Sequence, residues 1–140
     1  MTEITQADLA LLAFAREAQD KAYAPYSGFK VGAAIFADGE IYQGCNVENA
    51  AYGSTMCAER GAAMAAVLAG RTFFDAIAVV GDSEDPTVPC GCCRQFLAEF
   101  NPEMRVVMGG RLDHVQAASL DELLPDAFVR GYLDQEAAAE

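Results

Sequence analysis

The sequence predicts a three-layer α/β/α domain built on a mixed five-stranded sheet. Apolar segments of strand length alternate with segments of helical periodicity along the 140 residues, an order typical of α/β folds. Two strand segments are joined by Asp38-Gly39, the two-residue signal of an antiparallel hairpin, so the sheet opens with a hairpin and is not purely parallel. We expect a single domain over residues 1–140, without repeats or low-complexity segments.

The N-terminal elements are a helix and the hairpin. The helix is predicted to begin at the N-cap residue Thr5 and to end near residue 23, because Pro25 follows. Apolar residues recur on one face of this segment at helical spacing. Residues 31–36 and 41–45 then form the two strands of the hairpin.

The middle of the chain is predicted to contain a loop, a helix and a buried strand. Residues 46–55 are rich in Asn and Gly and show no period, which indicates a loop. The helix at residues 56–69 is stopped by Gly70, and its many alanines would let neighbouring elements approach closely. Residues 74–80 are apolar and β-branched enough to form a buried strand.

The C-terminal third is predicted to complete the sheet. An acidic loop at residues 81–89 leads into it. The remaining elements are a helix at 90–100, strands at 105–108 and 113–116, a helix capped by Ser119 and a flexible tail at 134–140.

Composition argues against several classes of partner. The formal net charge is −12, with nine basic residues and no stretch that concentrates them, so we expect no nucleic-acid binding. An anionic nucleotide would be repelled at long range, whereas a neutral nucleoside would not. The longest apolar stretch, residues 62–69, is too short to span a bilayer, and the N-terminus lacks the pattern of a signal peptide.

The five cysteines indicate metal chemistry in a reducing compartment. Their number is odd and four of them lie in or beside two short motifs, which disfavours a secreted disulfide framework and favours the cytoplasm. Cys57 in the motif CAER, with Cys90 and Cys93 in PCGCCRQ, would supply three thiolates. Thiolates favour Zn²⁺, and three protein ligands leave one tetrahedral position open, so we predict one catalytic zinc per chain.

The residues around these cysteines have separate expected roles. Glu59, two residues after Cys57, is placed to transfer protons of a water molecule rather than to bind the metal. Arg60 could donate to a zinc-bound sulfur and offset the negative charge of three thiolates. Cys92 lies about 200° from Cys90 around a helix, so it is predicted to be a small buried residue rather than a ligand, and Cys45 likewise.

The chain resembles the short-chain cytidine deaminases. The two cysteine motifs resemble that family's zinc motif. Three further segments are similar to the family in the same order: APYSGFKVGAA at 24–34, GCNVENA at 44–50 and LLPDAF at 123–128. The resemblance extends over roughly residues 22–128, so a chance match to one motif is excluded.

The resemblance implies a fold, a reaction and an assembly. It implies a cytidine-deaminase-like fold and the zinc-dependent hydrolysis of cytidine and 2′-deoxycytidine to uridine and 2′-deoxyuridine, with release of ammonia, in pyrimidine salvage. Asn46 and Glu48 would bind the ribose, and Arg60 would tune the zinc thiolates. Phe29 could pack against the base or sugar, or simply belong to the core. The family assembles as homotetramers with shared active sites, in which the counterpart of Phe128 closes over a neighbour's site.

Three other interpretations remain open from the sequence. A blasticidin-type or other modified-base deaminase would share the zinc motif, although Asn46 and Glu48 favour a nucleoside. A structural zinc-binding module would need a fourth protein ligand, such as Cys92 or Cys45. A redox protein built on Cys90-x-x-Cys93 would have no need of Glu59.

Overall fold

The computed structural model of the protein describes the backbone of residues 2–139 and the side chains of residues 2–134. Its helices are α1 (Gln6–Gln19), α2 (Ala58–Leu68), α3 (Gly91–Ala98), α4 (Leu120–Leu123) and α5 (Arg130–Ala139), with a 3₁₀ turn at Tyr52–Ser54. Its strands are β1 (Gly32–Ala37), β2 (Glu40–Cys45), β3 (Ala76–Val80), β4 (Arg105–Gly109) and β5 (Val115–Ser119). In this part of the chain no helix combines the length and the hydropathy needed to cross a bilayer.

The five strands form one mixed sheet in the order β2-β1-β3-β4-β5. The β3 and β4 strands are parallel, and the other three neighbouring pairs are antiparallel. The hairpin between β1 and β2 turns at Asp38 and Gly39, whose φ angles of 50° and 79° are both positive, as in a type I′ turn. The predicted mixed sheet with an opening hairpin is therefore confirmed.

Helices cover both faces of this sheet, which makes the three predicted layers. Side chains of a strand alternate between the two faces, so Ala33 and Ile35 of β1 join one core cluster while Ala34 joins the other. The larger cluster packs beneath α2 and α3, and the smaller one beneath α1. The two zinc-motif helices therefore share one face of the sheet.

The α2 helix lies in direct contact with the edge strand β2. A Cβ atom added to Gly44 would come within 2.3 Å of the Ala62 nitrogen and 2.4 Å of the Ala58 carbonyl oxygen. Ala58, Ala62, Ala63 and Ala66 are all buried on this side of the helix. The expected close packing of the alanine-rich helix is confirmed, and a glycine in the strand makes it possible.

The α1 helix is tied to the sheet by an ion pair. Asp8 accepts from Arg105 of β4 at 2.6 Å and, with Thr5, forms a capping box at the helix N-terminus. The hydrogen bond from Arg105 lowers the pKa of the Asp8 carboxyl below its usual value. The predicted N-cap at Thr5 is confirmed.

Several predicted boundaries differ from the structure. The first helix ends at Gln19 rather than near residue 23, because Tyr23 leaves the helix to pair with Val47 in an isolated bridge. The loop at 46–55 contains this bridge, a second one between Val47 and Met56, and the 3₁₀ turn. The fifth strand lies at Val115–Ser119, a few residues later than predicted.

The C-terminal region holds a helix that the sequence does not predict. Segment α4 is only one turn long, and the chain becomes helical again at Arg130 and remains so to Ala139. The predicted flexible tail at 134–140 overlaps this helix. Its flexibility stays a prediction, because Glu140 and the side chains of 135–139 lie outside the described residues.

Candidate active site

Three cysteine side chains converge where the N-termini of α2 and α3 meet. Cys57 is the N-cap of α2, Cys90 is the N-cap of α3, and Cys93 lies in the first turn of α3. Their Sγ atoms all lie within 4.8 Å of one another. Sulfur ligands of a tetrahedral zinc stand about 3.8 Å apart, given a Zn–S distance of about 2.3 Å, so the group requires little adjustment to hold the ion.

The local field favours thiolates at this point. Cys57 and Cys90 are the N-cap residues of α2 and α3, so both lie at the positive end of a helix dipole, which favours a thiolate over a thiol. The pKa of Cys57 falls to about 5, first because the Cys93 thiol donates a hydrogen bond to it and then because Arg60 does. The same hydrogen bond and burial raise the pKa of Cys93.

Arg60 is the cation beside this sulfur group. Its Nη2 atom lies 3.5 Å from the Cys57 sulfur and 3.2 Å from the Thr55 carbonyl oxygen. Its Nε atom is buried and has no hydrogen-bond partner among the described residues. Three thiolates around Zn²⁺ leave a net negative charge, and a guanidinium with an unused donor fits that need. The donor set and its counter-charge together fit a zinc ion.

Glu59 presents a buried carboxyl to the same place. Its side chain is 5% exposed, and it lies in the first turn of α2 between the two cysteine-bearing helix ends. Burial raises the pKa of Glu59, and the negative charge of Cys57 raises it further. A carboxyl whose pKa is raised toward neutrality can both accept and return a proton.

A small cavity of about 200 Å³ opens between these groups. Glu59, Cys57 and Cys90 line it, together with Val31, Asn46, Thr55, Ala58, Thr87 and Val88. Thr55 also borders a second, wider pocket of about 460 Å³, which is lined by Tyr26, Ser27, Glu48 and Tyr52. The cavity and the wider pocket therefore share Thr55 and are neighbours.

Asn46 lines the cavity but is already held by main-chain groups. Its Oδ1 atom accepts from the Val31 N–H at 2.9 Å, and its Nδ2 atom donates to the Phe29 carbonyl at 2.9 Å. The side chain is 8% exposed. One N–H and one lone pair of the amide remain free, in an orientation fixed by the other two bonds.

Glu48 lies in the wider pocket rather than in the cavity. Its carboxylate accepts from the Tyr26 N–H at 2.9 Å, the Ser27 N–H at 3.1 Å and the Ser27 hydroxyl. The Ser27 hydroxyl lowers the pKa of Glu48 below its usual value, so the group is anionic near neutral pH. Glu48 lines the wider pocket and Asn46 lines the cavity, and Thr55 is the residue common to both linings.

The two candidate aromatic residues stand farther out. The ring of Phe29 lies over Gly81, where an added Cβ would come within 2.9 Å of it, and 39% of the residue is exposed. Phe128 is 58% exposed and stacks on Tyr132, with ring centroids 5.3 Å apart. Neither residue lines the cavity of its own chain.

Comparison with known proteins decides the family. The family model described as the cytidine and deoxycytidylate deaminase zinc-binding region matches residues 5–109. The chain belongs to this deaminase family. Cytidine deaminases of Sporosarcina psychrophila and Halalkalibacterium halodurans are 49% and 47% identical over 120 residues, which are 84% of this chain and 88% and 91% of theirs. The crystal structure of cytidine deaminase from Burkholderia pseudomallei is 49% identical, with a TM-score of 0.83 over 89% of this chain and all of that one.

Membership of the deaminase family confirms the predicted fold class and the zinc chemistry. It also removes two of the alternatives, the structural zinc module and the redox protein. Cys92 and Cys45 do not complete a fourth ligand position, because the metal-binding group within the described residues contains Cys57, Cys90 and Cys93 only. The three-cysteine set is that of a site with an open position.

The expected burial of Cys92 is wrong. The residue is exposed on the outer side of the first turn of α3, whereas Cys93 beside it is buried. The helical angle correctly predicts that Cys92 points away from Cys90. Within the described residues, however, no other element covers that side of α3. Cys45 is half-buried, and its thiol lies 3.7 Å from the Lys21 carbonyl oxygen.

Sequence reasoning missed several residues that the structure places in or beside the two pockets. Thr55 borders both pockets, and Tyr26 and Tyr52 form an edge-on aromatic pair in the wider one, with centroids 5.9 Å apart. Arg94 donates to the Pro89 and Leu123 carbonyls at 2.8 and 2.7 Å and so fixes the turn that precedes Cys90. Tyr26 belongs to the segment APYSGF that resembles the family, which was the one available signal.

Proposed function

We propose that this protein hydrolyses cytidine and 2′-deoxycytidine to uridine and 2′-deoxyuridine, releasing ammonia. The observation that supports this most directly is the buried Glu59 carboxyl beside three convergent cysteines in the lining of one cavity. The relatives named above are cytidine deaminases at 47–49% identity. When bound by Cys57, Cys90 and Cys93, zinc would supply a Lewis acid that makes water acidic enough to react at neutral pH.

The chain's own residues would then manage the protons. Glu59 accepts a proton from the attacking water and delivers it to ring atom N3 as the C4–O bond forms. It next passes a proton from the new hydroxyl to the amine, and the C4–N bond breaks to release ammonia and leave the uracil carbonyl. Burial raises the pKa of Glu59 and so favours the protonated carboxyl that the second half of each transfer needs. Arg60 stays beside Cys57 and balances the charge of the thiolates.

We assign the sugar to the passage between the two pockets. The base would occupy the small cavity beside Glu59, and the ribose would extend past Thr55 toward Glu48. Asn46 has one N–H and one lone pair left for a sugar hydroxyl, and the anionic Glu48 can accept from another. The net charge of −12 favours an uncharged nucleoside over a nucleotide.

Removal of either sugar-binding side chain is expected to impair cytidine turnover selectively. Asn46→Ala and Glu48→Ala should each lower kcat/KM for cytidine by about tenfold to a hundredfold, because a sugar hydroxyl loses its partner. Zinc content should stay that of the wild type. The effect should shrink with 2′,3′-dideoxycytidine, which lacks the diol. Steady-state kinetics and metal analysis measure both quantities.

Glu103→Ala serves as the matched control, because Glu103 is an exposed carboxylate at the turn before β4, away from both pockets. It should leave the kinetics unchanged. Normal cytidine turnover by both the Asn46 and the Glu48 variant would contradict the ribose assignment and would favour a modified-base deaminase without sugar recognition.

We further propose that the active unit is a homotetramer with shared active sites. An apolar patch on α2 and α3 supports association: Ala63, Met64, Val67, Leu68, Phe96 and Phe100 line one shallow depression, and Leu68 is 90% exposed. Phe128 is largely exposed and lies outside its own cavity, as expected for a residue that covers a neighbour's site. Closed symmetric assemblies are the common result of such patches.

Light scattering should give a mass about four times the 14.9 kDa of the chain. Tetramers mixed from Glu59→Gln and Phe128→Ala chains test sharing directly. If Phe128 acts on a neighbour, the mixture contains sites with an intact Glu59 and an intact Phe128, so activity exceeds that of either parent. A fully active monomer, or a mixture no more active than its parents, would contradict the proposal.

The five free cysteines support a reducing compartment, and we infer a cytoplasmic enzyme of pyrimidine salvage.

A further inference from the structure

A polar junction of Asp82, Gln19 and Lys30 joins the end of α1, the segment before β1 and the loop after β3. Asp82 follows the end of β3, Gln19 is the last residue of α1, and Lys30 lies in the segment that enters β1. Asp82 Oδ2 accepts from the Lys30 N–H at 2.7 Å, and Asp82 Oδ1 accepts from Gln19 Nε2 at 3.2 Å. Gln19 Nε2 also donates to the Lys30 carbonyl at 3.0 Å. Both main-chain groups of Lys30 are therefore held by this pair of side chains.

The residues on either side of Lys30 both hydrogen-bond to Asn46, which lines the cavity. Val31 lines the cavity, and its main chain exchanges hydrogen bonds with Asn46: the Val31 N–H donates to the Asn46 side chain and the Asn46 N–H donates to the Val31 carbonyl. Phe29 accepts from the Asn46 amide through its carbonyl. The segment 29–31 thus fixes the rotamer of Asn46, and Asp82 and Gln19 fix the segment.

We propose that Asp82, assisted by Gln19, is a positioning residue for the nucleoside-binding wall formed by residues 29–31 and Asn46. This inference rests on the proposed function, because it takes that wall to bind substrate. Asp82 does not line the cavity and touches neither the cysteines nor Glu59 among the described contacts. Its effect on catalysis therefore passes through Lys30.

Packing gives the junction little freedom to rearrange. The ring of Phe29 lies over Gly81, the residue before Asp82, and the Thr87 hydroxyl approaches the same glycine to within 2.5 Å of an added Cβ. Thr87, like Val31, lines the cavity. Main-chain displacement of Lys30 would consequently move Phe29 and Val31 together, since they are its chain neighbours. Such a displacement alters binding geometry while leaving the metal group in place.

Kinetics of Asp82→Ala test the inference. We expect KM for cytidine to rise about tenfold, the usual effect of losing one or two hydrogen bonds, while kcat stays within about threefold and zinc content is full. Asp82→Asn keeps an acceptor for the Lys30 N–H and should show a smaller rise in KM. Glu84→Gln is the matched control, because Glu84 is exposed on the same loop and, among the described residues, its carboxylate pairs with Arg111 alone.

A double-mutant cycle separates positioning from general destabilisation. Since Asp82 acts through the wall that holds Asn46, the effect of Asp82→Ala on KM should be much smaller in an Asn46→Ala background. A purely structural role would lower the melting temperature in both backgrounds and leave KM unchanged. Unchanged KM in Asp82→Ala, or full additivity with Asn46→Ala, would overturn the inference.

Milder variants and the activity of the wild type complete the test. If Asp82→Ala fails to fold, Asp82→Asn and Gln19→Met, each expected to raise KM about threefold, take its place. Unchanged KM in both overturns the inference. A wild-type protein that does not convert cytidine would overturn the proposed function and this inference together, whereas an active wild type with insensitive variants overturns this inference alone.

Discussion

A Glu59→Gln variant is expected to fold, bind zinc and lose deamination of cytidine by about a hundredfold to ten-thousandfold. The amide has nearly the shape of the carboxyl but cannot accept and return a proton. The side chain is buried, and Glu59 takes part in none of the ion pairs among the described residues, so the neutral amide leaves no salt-bridge partner unpaired. An ultraviolet assay of cytidine conversion and metal analysis of the same sample measure the two quantities.

Glu17→Gln makes a suitable comparison, because Glu17 is exposed on α1 at the opposite face of the sheet. Its activity should equal that of the wild type. A Glu59→Gln protein that loses its zinc and recovers activity on addition of metal would show instead that Glu59 is a ligand.

Serine substitutions of the α3 cysteines should divide into two classes. Cys90→Ser and Cys93→Ser are expected to lose zinc and with it essentially all activity, since a hydroxyl is a poor zinc ligand compared with a thiolate. Cys92→Ser should keep the metal and most activity, because Cys92 is exposed on the outer side of the turn. Cys92→Ser thus serves as the control for the other two serine substitutions.

The reverse pattern of zinc contents would show that one of the three zinc ligands is wrongly assigned. If Cys92→Ser loses zinc and Cys93→Ser keeps it, then Cys92 rather than Cys93 is the second zinc ligand from α3. Zinc-to-protein ratios near one for the wild type and Cys92→Ser, and near zero for the other two, are the expected measurements.

Local patterns predicted most of the elements and the metal group. Strand and helix periodicity located the five strands and the first three helices, and the Cys-x-x-Cys spacing placed Cys90 and Cys93 on one side of a helix turn. These features depend on neighbours a few residues apart. The C-terminal boundaries were less predictable, because α4 and α5 are short or weakly amphipathic and their ends depend on packing.

Contacts between segments distant in sequence could not be predicted from such local patterns. The Asp82 and Gln19 junction joins residues 63 positions apart, and neither residue belongs to a motif. The exposure of Cys92 depends on whether another element covers α3, which a helical projection does not include. The hydrogen bonds between the Asn46 side chain and the main chain of residues 29 and 31 likewise form only once folding brings the segment before β1 against the loop after β2.

The contact between Gly44 and α2 makes the metal group dependent on the alignment of the hairpin. Gly44 pairs with Ala33 and has no side chain to hold α2 away. Cys57 is the N-cap residue of that helix. A slip of one residue between β1 and β2 would bring Gln43 or Cys45 beneath the helix and lift its N-terminus. The alignment is set by the turn at Asp38 and Gly39 at the far end of the strands. Accurate spacing of the zinc ligands therefore begins with two residues that never approach the metal.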